Sequence, residues 1–167
     1  MKRIISFFCF MIVSMCVSSV YAGNAEADYR VVPLPQSIKM AEGKDVTIVA
    51  TGIMVGMALE ARTLLANEGI SATVINIHTI KPIDTDLIVA SARETGAVVT
   101  AEEHNIIGGL GSAVCETLCD NFPVPVKRVG VADVFGRSGK VPVLLEIYGL
   151  TPANIAANAK AAIAMKA

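Results

Sequence analysis

Short apolar, β-branched runs alternate with amphipathic stretches along this chain, and that alternation constrains the fold more than any other feature. Val46–Ala50 reads VTIVA, a run without polar alternation, as in a strand covered on both faces. Thr51-Gly52 breaks it. The spacing then predicts a helix to about Glu68. Met54, Met57, Ala58, Ala61, Leu64 and Leu65 fall three and four apart, one apolar stripe, so Leu64 is expected in the core. Glu60, Arg62 and Asn67 face away, and Gly69 supplies a left-handed stop. Ala72–Ile77 and Ala97–Ala101 repeat the buried-strand pattern. Between them Pro82 ends a loop, and Asp84 or Thr85 caps a helix that Gly96 closes after Thr95. A glycine-rich loop, Gly108–Gly111, leads into a helix from Ser112 to Asp120, followed by a last strand, Val124–Val131. Pro142 opens a short helix ending at Gly149. Thr151 caps a final helix with Pro152 at its first position, where the missing N–H costs nothing. Ser37–Ala41 reads as a weak short strand. Strands alternating with helices imply parallel pairing through right-handed crossovers, hence an α/β fold of three layers, a sheet between helices.

The first 22 residues follow different rules. Lys2-Arg3 precedes an apolar run, Ile4 to Val20, and Val20-Tyr21-Ala22 places small side chains where a signal peptidase requires them. These features are those of a secretory signal peptide over residues 1–22, with a spurious fused leader as the other reading. The run holds Cys9 and Cys16 and contributes much of the mean hydropathy of +0.58. Its removal takes away two cations and no acid, moving the net charge from −1 to −3. A secreted or periplasmic location follows from the leader, and a cytoplasmic one if the leader is spurious. Residues 23–37 are polar and carry Pro33 and Pro35, as a linker does. Residues 38–167 form the expected domain. The near-neutral charge excludes the basic surplus of a nucleic-acid footprint. No 18-residue apolar stretch follows residue 22, which excludes a multi-span membrane protein.

The residues able to do chemistry gather after two strands. Glu102-Glu103-His104 lies at the carboxyl end of the Ala97–Ala101 strand, where open α/β sheets place ligands. Gly108-Gly109-Leu110-Gly111-Ser112 then opens a helix whose first N–H groups are an anion site in waiting. Two readings fit: an acid/base pair beside an anion pocket, or a tight turn whose glycines let the helix approach the sheet. The glycine spacing is not a dinucleotide fingerprint, because Val114 stands where the third glycine belongs. Thr51-Gly52 offers a second possible anion site. His78 ends another strand and is expected at the same edge as His104. Two histidines without clustered Cys or Asp make a weak metal case. Cys115 and Cys119, four apart, are expected as core thiols beside Val114 and Leu118. No Gly-x-Ser-x-Gly elbow or phosphate loop is present.

Taken in order, a set of segments resembles a known family. They are Glu42–Ile48 (EGKDVTI), Ala50-Thr51-Gly52, Ala58–Ala61, Ile80-Lys81-Pro82-Ile83-Asp84, Thr100–Asn105 with Gly108–Val114, Phe135–Gly139 and Leu145–Thr151. Their order and spacing resemble the C-terminal domain of transketolase, most nearly that of transketolases split over two chains. 1-Deoxyxylulose-5-phosphate synthase and the beta subunits of 2-oxo acid dehydrogenases carry related domains. The resemblance spans about Asp28 to Ala164 and implies a five-stranded, mostly parallel sheet whose short first strand is antiparallel.

The resemblance further implies an assembly that uses thiamine diphosphate and magnesium to move two-carbon ketol units between sugar phosphates. In the family that cofactor sits between a pyrophosphate and a pyrimidine domain, on a Gly-Asp-Gly motif and an activating Glu. No Gly-Asp-Gly occurs in this sequence, so no catalytic or cofactor residue carries over. The expectation is a section that supports dimer assembly, inactive alone, with a partner chain carrying the other domains in a homo- or hetero-oligomer. The alternatives are a free-standing module for a small anion or nucleotide, and a non-functional exported gene fragment.

Overall fold

The structure, a computed structural model, describes residues 35–166. The leader and residues 23–34 of the expected linker lie outside the described residues. Five strands form one sheet: β1 (Ser37–Ala41), β2 (Val46–Ala50), β3 (Ala72–Ile77), β4 (Val98–Asn105) and β5 (Val126–Val131), in the order β1-β3-β2-β4-β5. Only β1 runs antiparallel, against β3; the other pairings are parallel. The helices are α1 (Met54–Asn67), α2 (Thr85–Thr95), α3 (Leu110–Asn121), α4 (Val141–Ile147) and α5 (Pro152–Ile163).

β2 occupies the middle of the sheet and every one of its residues is buried, the consequence of helices on both faces. On one face Ile48 and Val74 pack with Met54, Leu65 and Ile155 from α1 and α5. On the other Val49 and Ile75 pack with Ile88, Val114 and Leu118 from α2 and α3. Alternate residues along β2, β3, β4 and β5 divide between these two cores, as the two-residue pleat requires.

Helix ends follow local chemistry. Asp84 accepts from the Leu87 amide at 3.1 Å and stops the start of α2 from fraying; its other oxygen accepts from the Ser37 hydroxyl on β1. Gly96 closes α2 at φ +67°. Thr151 accepts from the Asn154 amide, with Pro152 following as expected.

Four sequence expectations shift. Leu64 is 41% exposed and Met57 half-buried, while Met54, Ala58, Ala61 and Leu65 are buried. At 100° per residue those four lie within an arc of about 60°, each within about 40° of Met54, whereas Leu64 sits about 80° from Met54 on the flank. β4 runs on from Ala101 to Asn105, because Asn105 pairs with Val131 beyond a shift in register. β5 starts at Val126, after two prolines that cannot donate to a ladder. The α3 cysteines are not core thiols. Cys119 is exposed and Cys115 half-buried, each one residue past the inward-facing Leu118 or Val114 and so rotated off the buried stripe. Burial pushes the Cys115 thiol above its ordinary pKa, with Arg128 opposing.

Candidate functional site

β2 continues through α1 toward β3, and β4 through α3 toward β5, so the chain leaves these adjacent strands in opposite directions. Their carboxyl ends form the switch point at which open α/β sheets bind ligands. Thr51 and Gly52 follow β2; Glu102–Ser112 follow and include the end of β4. The structure thus places these candidate residues at that edge.

Consecutive strand residues point to opposite faces, and this parity decides what Glu102 and Glu103 do. Glu102 faces α3 and is 1% exposed. Its Oε2 accepts from the Leu110 amide at 2.7 Å and its Oε1 from the Gly111 amide at 2.8 Å. Glu103 faces α1, is exposed, and accepts through Oε2 from the Ile53 amide at 3.2 Å. The N–H groups expected to receive an external anion are thus bonded to carboxylates of the chain itself. A free helix start attracts negative charge; here that charge is supplied internally. The same contact explains why α3 begins at Leu110, two residues before the expected Ser112.

The glycines make room for this brace. A Cβ at Gly109 would lie 1.9 Å from Glu102 Oε2, and one at Gly111 would lie 2.9 Å from Thr100 Oγ1 and 2.8 Å from Arg128 Cδ. Gly130 on β5 leaves space for the Glu102 side chain and the His104 carbonyl. Gly52 adopts φ +58° with the Glu103 carboxylate against it. The reading in which glycines bring helix and sheet together is the one the geometry matches.

The intervening loop is closed by its own polar groups. Ser112 Oγ accepts from the Gly108 amide at 2.8 Å, Asn105 Oδ1 accepts from the Ile107 amide at 2.8 Å, and Arg128 donates to the Ile106 carbonyl at 3.0 Å. Asn105 also donates to Asp133 at 2.9 Å. Both histidines are exposed. His104 Nδ1 lies 3.3 Å from its neighbour's carbonyl, Asn105 O, and His78 Nδ1 lies 3.1 Å from Thr79 Oγ1. Neither hydrogen-bonds the other or a candidate carboxylate among the described residues. No three His, Cys, Asp or Glu side chains converge to hold a metal there. Beside Gly108, Gly109 and Ser112 an open groove of about 530 Å³ runs along α3, with Lys81 on one side and Glu116 and Asp120 on the other. Its acids outnumber its one cation, which disfavours anions.

Sequence reasoning brought Glu102 and the glycines to one place but offered the carboxylate as half of an acid/base pair beside an anion pocket rather than as the anion itself. It missed Asn105, Arg128 and Gly130. The alternation of faces at Glu102-Glu103 carried the first signal. The other three required knowing that β5 lies beside β4.

Comparison with known proteins follows the same lines. The family described as "Transketolase, C-terminal domain" matches residues 36–155. The 6-deoxy-6-sulfo-D-fructose transketolase subunit of Clostridium sp. (strain MSTE9) is 55% identical over 116 residues, covering 70% of this chain and 36% of that protein. The 1-deoxy-D-xylulose-5-phosphate synthase of Heliobacterium modesticaldum is 48% identical over 126 residues, 75% of this chain and 20% of that protein. A solved "Split gene transketolase, inactive beta4 tetramer" superposes with a TM-score of 0.76 at 55% identity, covering 78% of this chain and 43% of that one. The chain therefore spans less than half the length of these relatives. With a matched family over most of its described residues, and a five-stranded sheet that superposes on that split-gene structure, the chain belongs to the transketolase C-terminal domain family.

Proposed function

We propose that this chain is the C-terminal section of a transketolase-type ketol transferase, contributing assembly rather than chemistry and inactive by itself. The observation that carries this is the occupation of the switch point: Glu102 and Glu103 take the α3 and α1 amides that a ligand would need. Among the described residues, no nucleophile, base and oxyanion-stabilising donor come together at that edge. Thiamine diphosphate, the cofactor implied for the assembled enzyme, supplies a nucleophilic thiazolium carbon when bound. It does not fit the residues of this chain, because its diphosphate would meet two carboxylates at these helix starts. Its place belongs to a partner chain with the pyrophosphate and pyrimidine domains. The split-gene relative is named as a tetramer of one chain type, and we propose that self-association extends to this chain.

Reconstitution tests the reading. Ketol transfer is measured with thiamine diphosphate and magnesium for this chain alone, for a chain bearing Gly-Asp-Gly encoded beside it, and for both together. Turnover is expected only in the mixture. Turnover by this chain alone, or a partner indifferent to its addition, refutes the proposal. The Lys2-Arg3 start, apolar run and Val20-Tyr21-Ala22 support a further proposal, that residues 1–22 are removed on export. Mass spectrometry of the protein from its own cells decides it, and an intact Met1 or Lys2 terminus refutes it.

A further inference from the structure

Residues 132–143, the loop after β5 and the first residues of α4, are exposed without a break. Among the described residues, Val134, Phe135, Val141, Val143 and Ile147 make up five of the twelve large exposed hydrophobic residues, within one short segment. Phe135 is 99% exposed. Scattered single hydrophobics on a surface are ordinary; a concentration of them marks an interaction site.

The segment is held in place. Tyr148 donates its hydroxyl to the Phe135 carbonyl at 3.1 Å, and Asn105 donates to Asp133 at 2.9 Å. Asp133 takes φ +50°, a left-handed turn that Asp tolerates better than most residues. Beneath, Leu145 and Tyr148 pack on the core. On α4, Val143 and Ile147 stand one turn apart, so they share an outward face. The result is a pre-ordered apolar surface whose display costs no rearrangement on binding.

Its charges indicate what covers it. Arg137 and Lys140 lie in the loop and Glu146 on α4. None of the three has an ion-pair partner among the described residues, whose salt bridges join Lys39 to Glu42 and Glu94 and Lys160 to Glu68. A patch carrying both signs is self-complementary across a two-fold axis, where residue i of one copy meets j of the other and j meets i. A partner of one sign would oppose part of it. We infer that the Val134–Ile147 surface is an isologous contact with a second copy of this chain, Phe135 and Val143 at its apolar centre and Arg137 facing Glu146 across the axis. This rests on the proposed self-association and assigns it a face.

Sedimentation velocity over a concentration series tests the assignment, on protein in the form its own cells accumulate. Wild type is expected to associate, and Phe135→Ser with Val143→Ser to raise the dissociation constant at least tenfold. Arg137→Glu and Glu146→Arg are each expected to weaken self-association. Mixing these two singly reversed variants restores it, because every cross-axis pair is then opposite in sign; misfolded variants would not recover. A monomer at all concentrations, association indifferent to Phe135→Ser, or no recovery on mixing overturns the inference. Binding through Phe135 to a different chain alone also overturns it. A monomeric chain that still supports ketol transfer with its partner sinks this inference and leaves the functional reading standing. A self-associating chain that never supports transfer does the reverse.

Discussion

Glu102 and Glu103 are neighbours in sequence and cap two helices on opposite faces of one sheet, in opposite surroundings. Glu102 is sealed between β4, β5 and α3 and makes two short bonds to backbone amides. Glu103 lies in solvent and makes one longer bond, at 3.2 Å, to α1. The chemistry is the same, a carboxylate at a helix start, but water competes for one and not for the other. A bond that water can replace contributes little, while a buried amide that loses its acceptor bears the full desolvation penalty. The pair therefore teaches that burial, not the presence of a cap, sets the strength of this brace.

The largest break in the comparison is Glu102→Ala. It strands the Leu110 and Gly111 amides and is expected to cost about 4 kcal/mol, from two lost charge-assisted acceptor contacts. Glu102→Gln keeps the shape without the charge and recovers about half. Urea unfolding measures both, and a cost below about 1 kcal/mol for the alanine variant would show that water already reaches these amides. The leucines of α1 extend the same contrast. Leu65→Ala is expected to lose about 3 kcal/mol, within the range for emptied core sites, and Leu64→Ala less than about 0.5 kcal/mol, as surface changes do. Equal losses would invalidate the helix rotation described above.

Gly109→Ala pushes a methyl onto Glu102 Oε2 and is expected to cost about 2 kcal/mol, as overpacking does. Because both changes disturb one contact, the double variant with Glu102→Ala should cost less than the sum of the singles; strict additivity would mean that Gly109 acts on something else. Smallest is Glu103→Ala, about 0.5 kcal/mol and reduced by added salt, since an exposed charge at a helix start is screened. A loss as large as that of Glu102→Ala would erase the distinction between the two faces.

The fold was largely legible before the structure, through particular residues. VTIVA at β2, the Gly69 and Gly96 helix stops, and the Asp84 and Thr151-Pro152 helix starts are local signals whose causes lie within a few residues. The errors came where distant chain intervenes. Leu64 and Leu65 both fit a three-and-four spacing, and only the line along which α1 lies on the sheet separates them. β4 runs past Ala101 because Val131 is there to pair with Asn105.

By itself the sequence determined the order of strands and helices, their caps, and the edge at which Glu102, Glu103 and the glycines gather, because backbone preference and pleat parity act over short range. Only the tertiary structure decided that these acids cap helix starts. That outcome depends on α3 and α1 each setting a helix start against the carboxylate on its face, and on Gly130 of β5 leaving Glu102 the space to reach one of them. Whether a carboxylate repels an anion or serves as one is settled by which amides stand within hydrogen-bond reach, and those amides come from elsewhere in the chain.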